Sequence, residues 1–177
     1  MITWRCAPYP DLTPREIHDL FQARSAAFVV EQTCVFLDID GLDPQCWHLV
    51  GYAEAARDAS VAGGEADPTV RRLVACARLV PPGAKYGEPS IGRVVTTAAV
   101  RGTGVGRELM GRAIAHAEEL WPGQPIRIGA QQHLEKFYAS LGFATVSAPY
   151  DEDGIAHVEM LRPASALSRR SARSAGQ

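Results

Sequence analysis

The stretch from residue 91 to residue 121 reads IGRVVTTAAVRGTGVGRELMGRAIAHAEELW and has three parts. Apolar residues at 91–97 predict a strand, residues 101–106 are rich in glycine, and the following run has one apolar face and predicts a helix. Glycines at 102, 104 and 106 let the backbone approach a ligand closely, and a helix N-terminus attracts anions. Because Arg101 and Arg107 flank these glycines, the unit predicts an anion-binding site.

Two common phosphate-binding motifs do not fit this stretch. A P-loop requires G-x-x-x-x-G-K-[ST], and no lysine follows these glycines. A Rossmann fingerprint requires a glycine at the sixth position counted from Gly102, where this chain has Arg107. Both nucleotide-binding interpretations therefore fail.

The remaining sequence predicts a mixed α/β fold. Thr13 and Glu16 form a capping box that begins a helix whose apolar spacing continues to Phe28, and a short helix at 134–141 is expected to close with a left-handed Gly142. Further strands are predicted at residues 3–9, 48–54, 72–80, 126–130, 144–148 and 157–162. Long polar connections follow at 31–43 and 55–68, the second a flexible hairpin tip. The pattern favours one sheet of six or seven strands.

Composition restricts the class of protein. The 177 residues fit one globular domain, and a net charge of −2 argues against nucleic acid or an anionic membrane as the main partner. The four cysteines lack metal-ligand spacing, and no apolar stretch reaches membrane-spanning length, so a cytoplasmic protein without a metal is expected. Residues 1–162 are predicted to form the domain. Residues 163–177 are mostly Ala, Ser and Arg and predict a disordered tail.

Two sequence blocks resemble a known superfamily. The run Arg101-Gly-Thr-Gly-Val-Gly106 is similar to the [Q/R]-x-x-G-x-[G/A] pyrophosphate loop of the GNAT acetyltransferases, which holds coenzyme A. The block from Gln131 to Phe143, QQHLEKFYASLGF, resembles N-x-x-A-x-x-F-Y-x-x-x-G-F of the same superfamily, with Gln131 in place of the asparagine.

Shorter motifs narrow the resemblance to the ElaA-type branch of the superfamily. They extend from the first helix to the last strand and are FVVEQ at 28–32, DIDGLD at 38–43, HL at 48–49, ARL at 77–79, IGRVV at 91–95, IGAQ at 128–131 and YDEDG at 150–154. Each is weak alone, but the order of all seven is specific.

The resemblance implies a fold, an activity and partners. The GNAT fold has a mostly antiparallel central sheet of six or seven strands, splayed between strands 4 and 5 and flanked by about four helices. The implied activity is transfer of an acetyl group from acetyl-CoA, as co-substrate and without a metal, to a primary amine by direct attack in a ternary complex. The acceptor would be a small-molecule or peptide amine, and the oligomeric state, a homodimer included, is left open.

The resemblance also implies roles for individual residues. The Val95 N–H would bind the oxyanion, Tyr138 would protonate the leaving thiolate, and Glu31 or His48 would act as general base. The cofactor-binding set would be Val94, Val95, Thr96, Arg101, Gly102, Thr103, Gly104, Val105, Gly106, Arg107, Gln131 and Tyr138. The structural alternatives are aromatic packing for Tyr138, a solvated surface charge for Glu31 and a structural hydrogen bond for His48.

The acid-rich connection has two interpretations. Asp38, Asp40 and Asp43 would form an acidic rim that attracts a cationic acceptor, or would simply face solvent. Arg24 and Arg78 lie on otherwise apolar segments and are expected to pair with some of these carboxylates.

Two other functions remain open from the sequence. The first half of the chain is also similar to acyl-homoserine-lactone synthases, which share the fold and form an amide on S-adenosylmethionine, although Cys34 lies where that family tends to show an aromatic residue. A non-catalytic acyl-CoA sensor or interaction module is the other alternative.

Overall fold

The computed structural model describes residues 1–34, 36–54 and 71–165, and eight strands in these residues form one sheet. The strands are β1 Ile2–Pro8, β2 Trp47–Glu54, β3 Arg71–Val80, β4 Ser90–Thr96, β5 Ile126–Gln131, β6 Ala144–Thr145, β7 Tyr150–Glu152 and β8 Ile155–Arg162. Their order is β1-β2-β3-β4-β5-β8-β6, with β7 paired to β8. The predicted mostly antiparallel, mixed α/β architecture is confirmed. The sheet has more than the predicted six or seven strands because β7 forms a hairpin with β8. The strand predicted at 144–148 is only two residues long.

Three α-helices flank the sheet within the described residues, against about four predicted: α1 Pro14–Arg24, α2 Val105–Leu120 and α3 Glu135–Ala139. A π-helix, Ser25–Glu31, continues α1 without a break, so the helical run includes Phe28, as predicted, and ends three residues later. The capping box is confirmed, since Thr13 accepts a hydrogen bond from the Glu16 N–H and Glu16 accepts one from the Thr13 N–H at 2.8 Å.

The core lies on both faces of the sheet. Leu109 and Met110 of α2 pack fully buried against one face, and Leu20 of α1 packs against the other. β3 runs between these layers, which explains why its sequence is nearly all apolar. Each large apolar side chain buried in this way contributes about 1.5–3 kcal/mol.

The predicted splay between β4 and β5 is confirmed. These strands run parallel and share a single register pair, Ser90 with Arg127, whereas the other paired strands of the sheet are antiparallel. A β-bulge in β4 places Arg93 and Val94 opposite one residue of β3, and Arg93 has a positive φ of 50°. Because a bulged strand bends, this irregularity helps β4 to diverge from β5 and leaves a notch.

Two predictions concern residues outside those described. The flexible tip at 55–68 falls wholly outside them, as does residue 166 onward of the predicted tail. The last strand ends at Arg162. The division into a domain of residues 1–162 and a disordered tail at 163–177 stays a prediction.

Candidate functional site

The glycine loop between β4 and α2 has the backbone geometry of an anion site. Gly102 and Gly104 have φ values of 76° and 92°, and a Cβ added at either would meet no atom within 4 Å, so the loop faces open space. α2 begins at Val105, Gly106 lies in its first turn, and no side chain caps this end. The Thr103 hydroxyl donates 2.7 Å to the carbonyl three residues earlier and braces the loop. The positive end of the α2 dipole therefore points toward solvent with its N–H groups accessible.

Both arginines predicted to flank the loop lie beside it, and each has a protein partner. Arg101 donates to Glu31 at 2.8 Å and to the Thr96 carbonyl at 3.1 Å. Arg107 donates to the Ser140 hydroxyl at 2.8 Å. The hydrogen bond from Arg101 lowers the pKa of Glu31, so an anion at the loop would compete with a fully ionised carboxylate for Arg101.

A cavity of about 180 Å³ occupies the notch between β4 and β5. Val94, Gln131 and Tyr138 line it, and these three belong to the predicted cofactor-binding set. The side chain of Val95 is instead buried in the core layer shared with α1. Thr96 pairs with β3 at the end of β4 that leads to the glycine loop. The notch and the glycine loop are therefore joined by the final residues of β4.

Tyr138 lies almost buried at the wall of this cavity. Its ring contacts Phe137 and Phe143 edge-on, with centroids 5.1 and 6.1 Å away. Burial raises the pKa of Tyr138 to about 12, and its hydroxyl makes no hydrogen bond to a described residue. The phenol thus remains protonated near neutral pH and is available to a ligand in the notch.

An arginine–aspartate cluster lies beside the notch and consists of Arg24, Arg78, Arg93, Asp38, Asp40 and Asp43. Arg24 is completely buried and donates to Asp38 at 2.9 Å and to Asp43 at 2.7 Å. Arg78 makes two hydrogen bonds of 2.7 Å to Asp40. The predicted pairing of Arg24 and Arg78 with these carboxylates is confirmed.

The alternative of an acidic rim formed by Asp38, Asp40 and Asp43 is wrong. Three arginines match the three aspartates, and Asp38 and Asp43 are only 7% and 2% exposed. Burial alone would raise the pKa of Asp40, but the hydrogen bonds from Arg78 and the Leu42 N–H, together with the charges of Arg78 and Arg93, outweigh it, and the pKa lies well below its usual range. The cluster is therefore a buried set of balanced ion pairs with no excess negative charge to attract a cation.

Neither residue predicted as general base lines the cavity. His48 is fully buried, and its Nε2 donates to the Asp43 carbonyl at 3.3 Å, which fits the structural alternative. Burial lowers the pKa of His48 and favours the neutral ring. Glu31 lies on the exposed end of the π-helix and contacts Arg101.

Two cavity residues, Arg93 and His157, were not predicted from the sequence. Each lines both the 180 Å³ cavity and an adjoining one of about 120 Å³. His157 Nδ1 lies 2.8 Å from the Ile155 carbonyl, which can only accept, so Nδ1 carries the proton and Nε2 is free to accept one. Because His157 reaches the notch by pairing of β8 with Gln131 of β5, no local signal in the sequence could have identified it.

Residues 1–34, 36–54 and 71–165 contain neither a metal-binding cluster nor a helix suited to a membrane. There, no group of three or more His, Cys, Asp or Glu side chains is arranged to hold a metal ion. No helix in the same ranges combines the length and apolar character that a membrane crossing requires.

Comparison with known proteins gives concordant matches. Residues 71–162 match the family described as "Acetyltransferase (GNAT) domain". Protein ElaA of Escherichia coli is 38% identical over 164 residues, which are 92% of this chain and 97% of that protein. A UPF0039 protein of Synechocystis is 39% identical over 90% of this chain and 94% of its own length.

Solved structures agree in fold. The crystal structure of an acyl-CoA N-acyltransferase from Pseudomonas aeruginosa has a TM-score of 0.79 and 38% identity, covering 92% of this chain and 99% of that one. The crystal structure of E. coli ElaA has a TM-score of 0.77 and 36% identity with the same coverage.

Proposed function

The chain belongs to the GNAT acetyltransferase superfamily and to its ElaA branch, and from this premise we propose that it transfers an acetyl group from acetyl-CoA to a primary amine. One observation carries the proposal: the uncapped start of α2, with Gly102 and Gly104 facing open space, is continuous with the notch between β4 and β5. This arrangement can bind a diphosphate at one end and present a thioester at the other.

The predicted cofactor set is assigned to parts of acetyl-CoA. The backbone of residues 102–106 binds the diphosphate, with Arg101 and Arg107 as cations at its rim. The unpaired edge of β4 around Val94 and Val95 receives the pantetheine chain, and Gln131 and Tyr138 flank the thioester. Support comes from the 180 Å³ cavity, which three of these side chains line.

The reaction is direct acyl transfer. The neutral amine nitrogen attacks the thioester carbonyl carbon, a C–N bond forms, and the C–S bond then breaks. The Val95 N–H binds the oxygen that becomes negative in the tetrahedral intermediate. Tyr138 gives its phenol proton to the departing thiolate, a role supported by its pKa of about 12, which keeps the hydroxyl protonated.

The amine must lose a proton, and we assign His157 as the general base that accepts it. A lysine-like amine with a pKa near 10.4 costs about 4–5 kcal/mol to present neutral at pH 7, so a positioned base is useful. Three observations favour His157 over Glu31 and His48: it lines both cavities, its Nδ1–H is held by a carbonyl, and its Nε2 is left as the acceptor. Solvent then returns His157 and Tyr138 to their starting protonation states.

Turnover of acetyl-CoA tests the activity. The chain is incubated with acetyl-CoA and a panel of amines, amino acids, polyamines and peptides, and the free thiol of CoA is measured. Release that requires both enzyme and acceptor supports the proposal, and an unchanged melting temperature at millimolar acetyl-CoA contradicts it. Stabilisation by acetyl-CoA without release for any acceptor would instead indicate a non-catalytic acyl-CoA sensor.

Two histidine variants test whether His157 is the general base. His157→Gln is expected to lower kcat by about 10²–10⁴-fold. The control is His18→Gln, because His18 is exposed on α1 and lies outside both cavities. Equal rates for the two variants would refute the role of His157. The cytoplasmic location and a homodimer stay predictions.

A further inference from the structure

Arg93 is the least satisfied of the three arginines in the arginine–aspartate cluster. Arg24 and Arg78 each make three hydrogen bonds to the aspartates, none longer than 3.1 Å. Arg93 makes two, of 3.2 and 3.4 Å, both from Nη2. Its Nε is 2.7 Å from an oxygen of Asp38, yet neither atom has the geometry of a hydrogen bond. Its Nη1 donates to no described residue. Arg78 lacks a partner only at Nε, whereas Arg93 lacks one at both Nε and Nη1, so among the three arginines Arg93 keeps the most unused donor capacity within the described residues.

The unused donors belong to a guanidinium that is fixed in place. The group lies against two aromatic rings, 5.9 Å from the centroid of Phe28 and 5.0 Å from that of Phe36. The side chain is 19% exposed and lines both cavities. A planar, preorganised guanidinium with free N–H groups fits a carboxylate, which it can bind through two parallel hydrogen bonds.

The charges around Arg93 favour an added anion. Burial and the nearby positive charge of Arg78 lower the pKa of Arg93, which indicates that the aspartates do not fully compensate it. Glu152 and His157 also line both cavities, and a carboxylate and a neutral imidazole suit an amine better than an anion. The cavities thus offer both a group that can bind a carboxylate and groups that can bind an amine.

We propose that Arg93 binds a carboxylate of the acceptor, and that the acceptor is an amino acid or another amine bearing a carboxylate. This inference rests on the proposed function, since it names the acceptor class at the same site. The carboxylate is held by Arg93, and the amine lies toward Glu152 and His157, where it attacks the thioester.

The test compares acceptors that differ only in the carboxylate. The standard α-amino acids are assayed against their amides and their decarboxylated amines, and kcat/KM is measured by thiol release. A charged hydrogen-bonded contact implies that the acids are preferred by about 10- to 150-fold. In Arg93→Met this preference is expected to fall to near one, whereas turnover of the decarboxylated amines persists. Wild-type enzyme that uses acids and amides equally well overturns the proposal.

Comparing kcat/KM for two acceptors in the same preparation makes the test independent of folding defects. Because Arg93 also contacts Asp38 and Asp40, Arg93→Met lowers stability, but the fraction of folded enzyme cancels when two acceptors are compared in one preparation. Arg93→Lys should retain a weaker preference, and Arg112→Met, at an exposed arginine paired with Glu108, should retain the full one. A preference unchanged in Arg93→Met refutes the assignment.

A binding experiment separates failure of this inference from failure of the proposed function. N-acetyl amino acids, the products of the proposed reaction, and their amides are titrated into the enzyme in the presence of CoA. Weaker binding of the acids to Arg93→Met than to wild type supports the carboxylate site even if no acceptor is turned over. Equal binding of acids and amides to the wild type overturns it, whether or not CoA is released in the turnover assay.

Discussion

Substitutions at Gly104 distinguish an effect on folding stability from an effect on acetyl-CoA binding. The backbone conformation at Gly104 determines the first effect, and the open space around it determines the second. At φ 92° the residue is left-handed, which costs a residue with a side chain about 1–2 kcal/mol. No atom lies within 4 Å of an added Cβ, so no steric clash adds to this strain. In a chain of this size each kcal/mol shifts Tm by roughly 2–4 °C, so Gly104→Ala should melt about 2–8 °C below wild type. Gly111→Ala, at an open site inside α2, should instead melt about 2–4 °C higher.

Gly104→Asp isolates the effect of this position on the affinity for acetyl-CoA. Aspartate tolerates the left-handed conformation and accepts from the N–H groups of a helix start, so this variant should be no less stable than Gly104→Ala. Its carboxylate, however, lies where the diphosphate of acetyl-CoA is proposed to bind. Repulsion between charges about 4 Å apart is on the order of 1–4 kcal/mol near a protein surface, which predicts a loss of affinity of about tenfold or more.

Two measurements distinguish the effect on stability from the effect on acetyl-CoA binding. Thermal melting without ligand gives the stability of the three variants, and calorimetry with acetyl-CoA gives their dissociation constants. If Gly104→Asp bound acetyl-CoA as tightly as wild type, the start of α2 would not be the diphosphate site. If Gly104→Ala were as stable as wild type, the assignment of a left-handed backbone at this position would be wrong.

Three further predictions concern the cluster and the proposed acid. Arg24→Met removes a fully buried arginine that is hydrogen-bonded to two buried carboxylates, Asp38 and Asp43, and should cost about 3–5 kcal/mol in urea unfolding. Arg112→Met, at an exposed ion pair with Glu108, should cost at most about 0.5 kcal/mol, and equal losses would contradict the burial argument. Because the folded-state pKa of Asp40 is depressed, its contribution to stability is complete above its unfolded pKa of about 3.9 and is lost as pH falls through the folded value. Urea unfolding below pH 4 should therefore show this loss in wild type and a smaller one in Asp40→Asn. Tyr138→Phe should lower kcat by roughly 100-fold while leaving the dissociation constant of acetyl-CoA unchanged, and an unaltered kcat would exclude the phenol as acid.

Features set by neighbouring residues in the sequence were predictable. The capping box of Thr13 and Glu16 needs only a three-residue spacing, and Gly142 has the expected left-handed φ of 89° after α3. β7 was missed because Tyr150–Glu152 becomes a strand only by pairing with β8. Conversely, the strand predicted at 144–148 pairs with β8 at only two residues, since apolar character alone does not provide a partner strand.

In the candidate site too, features set by local sequence were predictable and features set by distant contacts were not. The glycine loop was predictable because glycine content, the preceding strand and the following helix are all local. The acidic rim was wrong because a run of aspartates does not reveal which cations fold against it, and Arg93 comes from a strand 50 or more residues later. His157 depends on the pairing of β8 with β5 and carries no signal of its own.

If Arg93 binds the acceptor as proposed, the arginine–aspartate cluster links acceptor binding to the opening of the notch. Arg93 occupies a left-handed conformation that costs a non-glycine residue on the order of 1–3 kcal/mol, and it does so within the β-bulge that bends β4 away from β5. Contacts of its guanidinium with Asp38 and Asp40 offset that strain, so the loop at 38–43 stabilises the conformation that keeps the notch open. Arg93 also lines the adjoining cavity of about 120 Å³, where the acceptor is proposed to bind. A carboxylate bound to the unused donors of Arg93 would share this guanidinium with the aspartates, so a substitution of Arg93 should change acceptor affinity and the support of the bulge together.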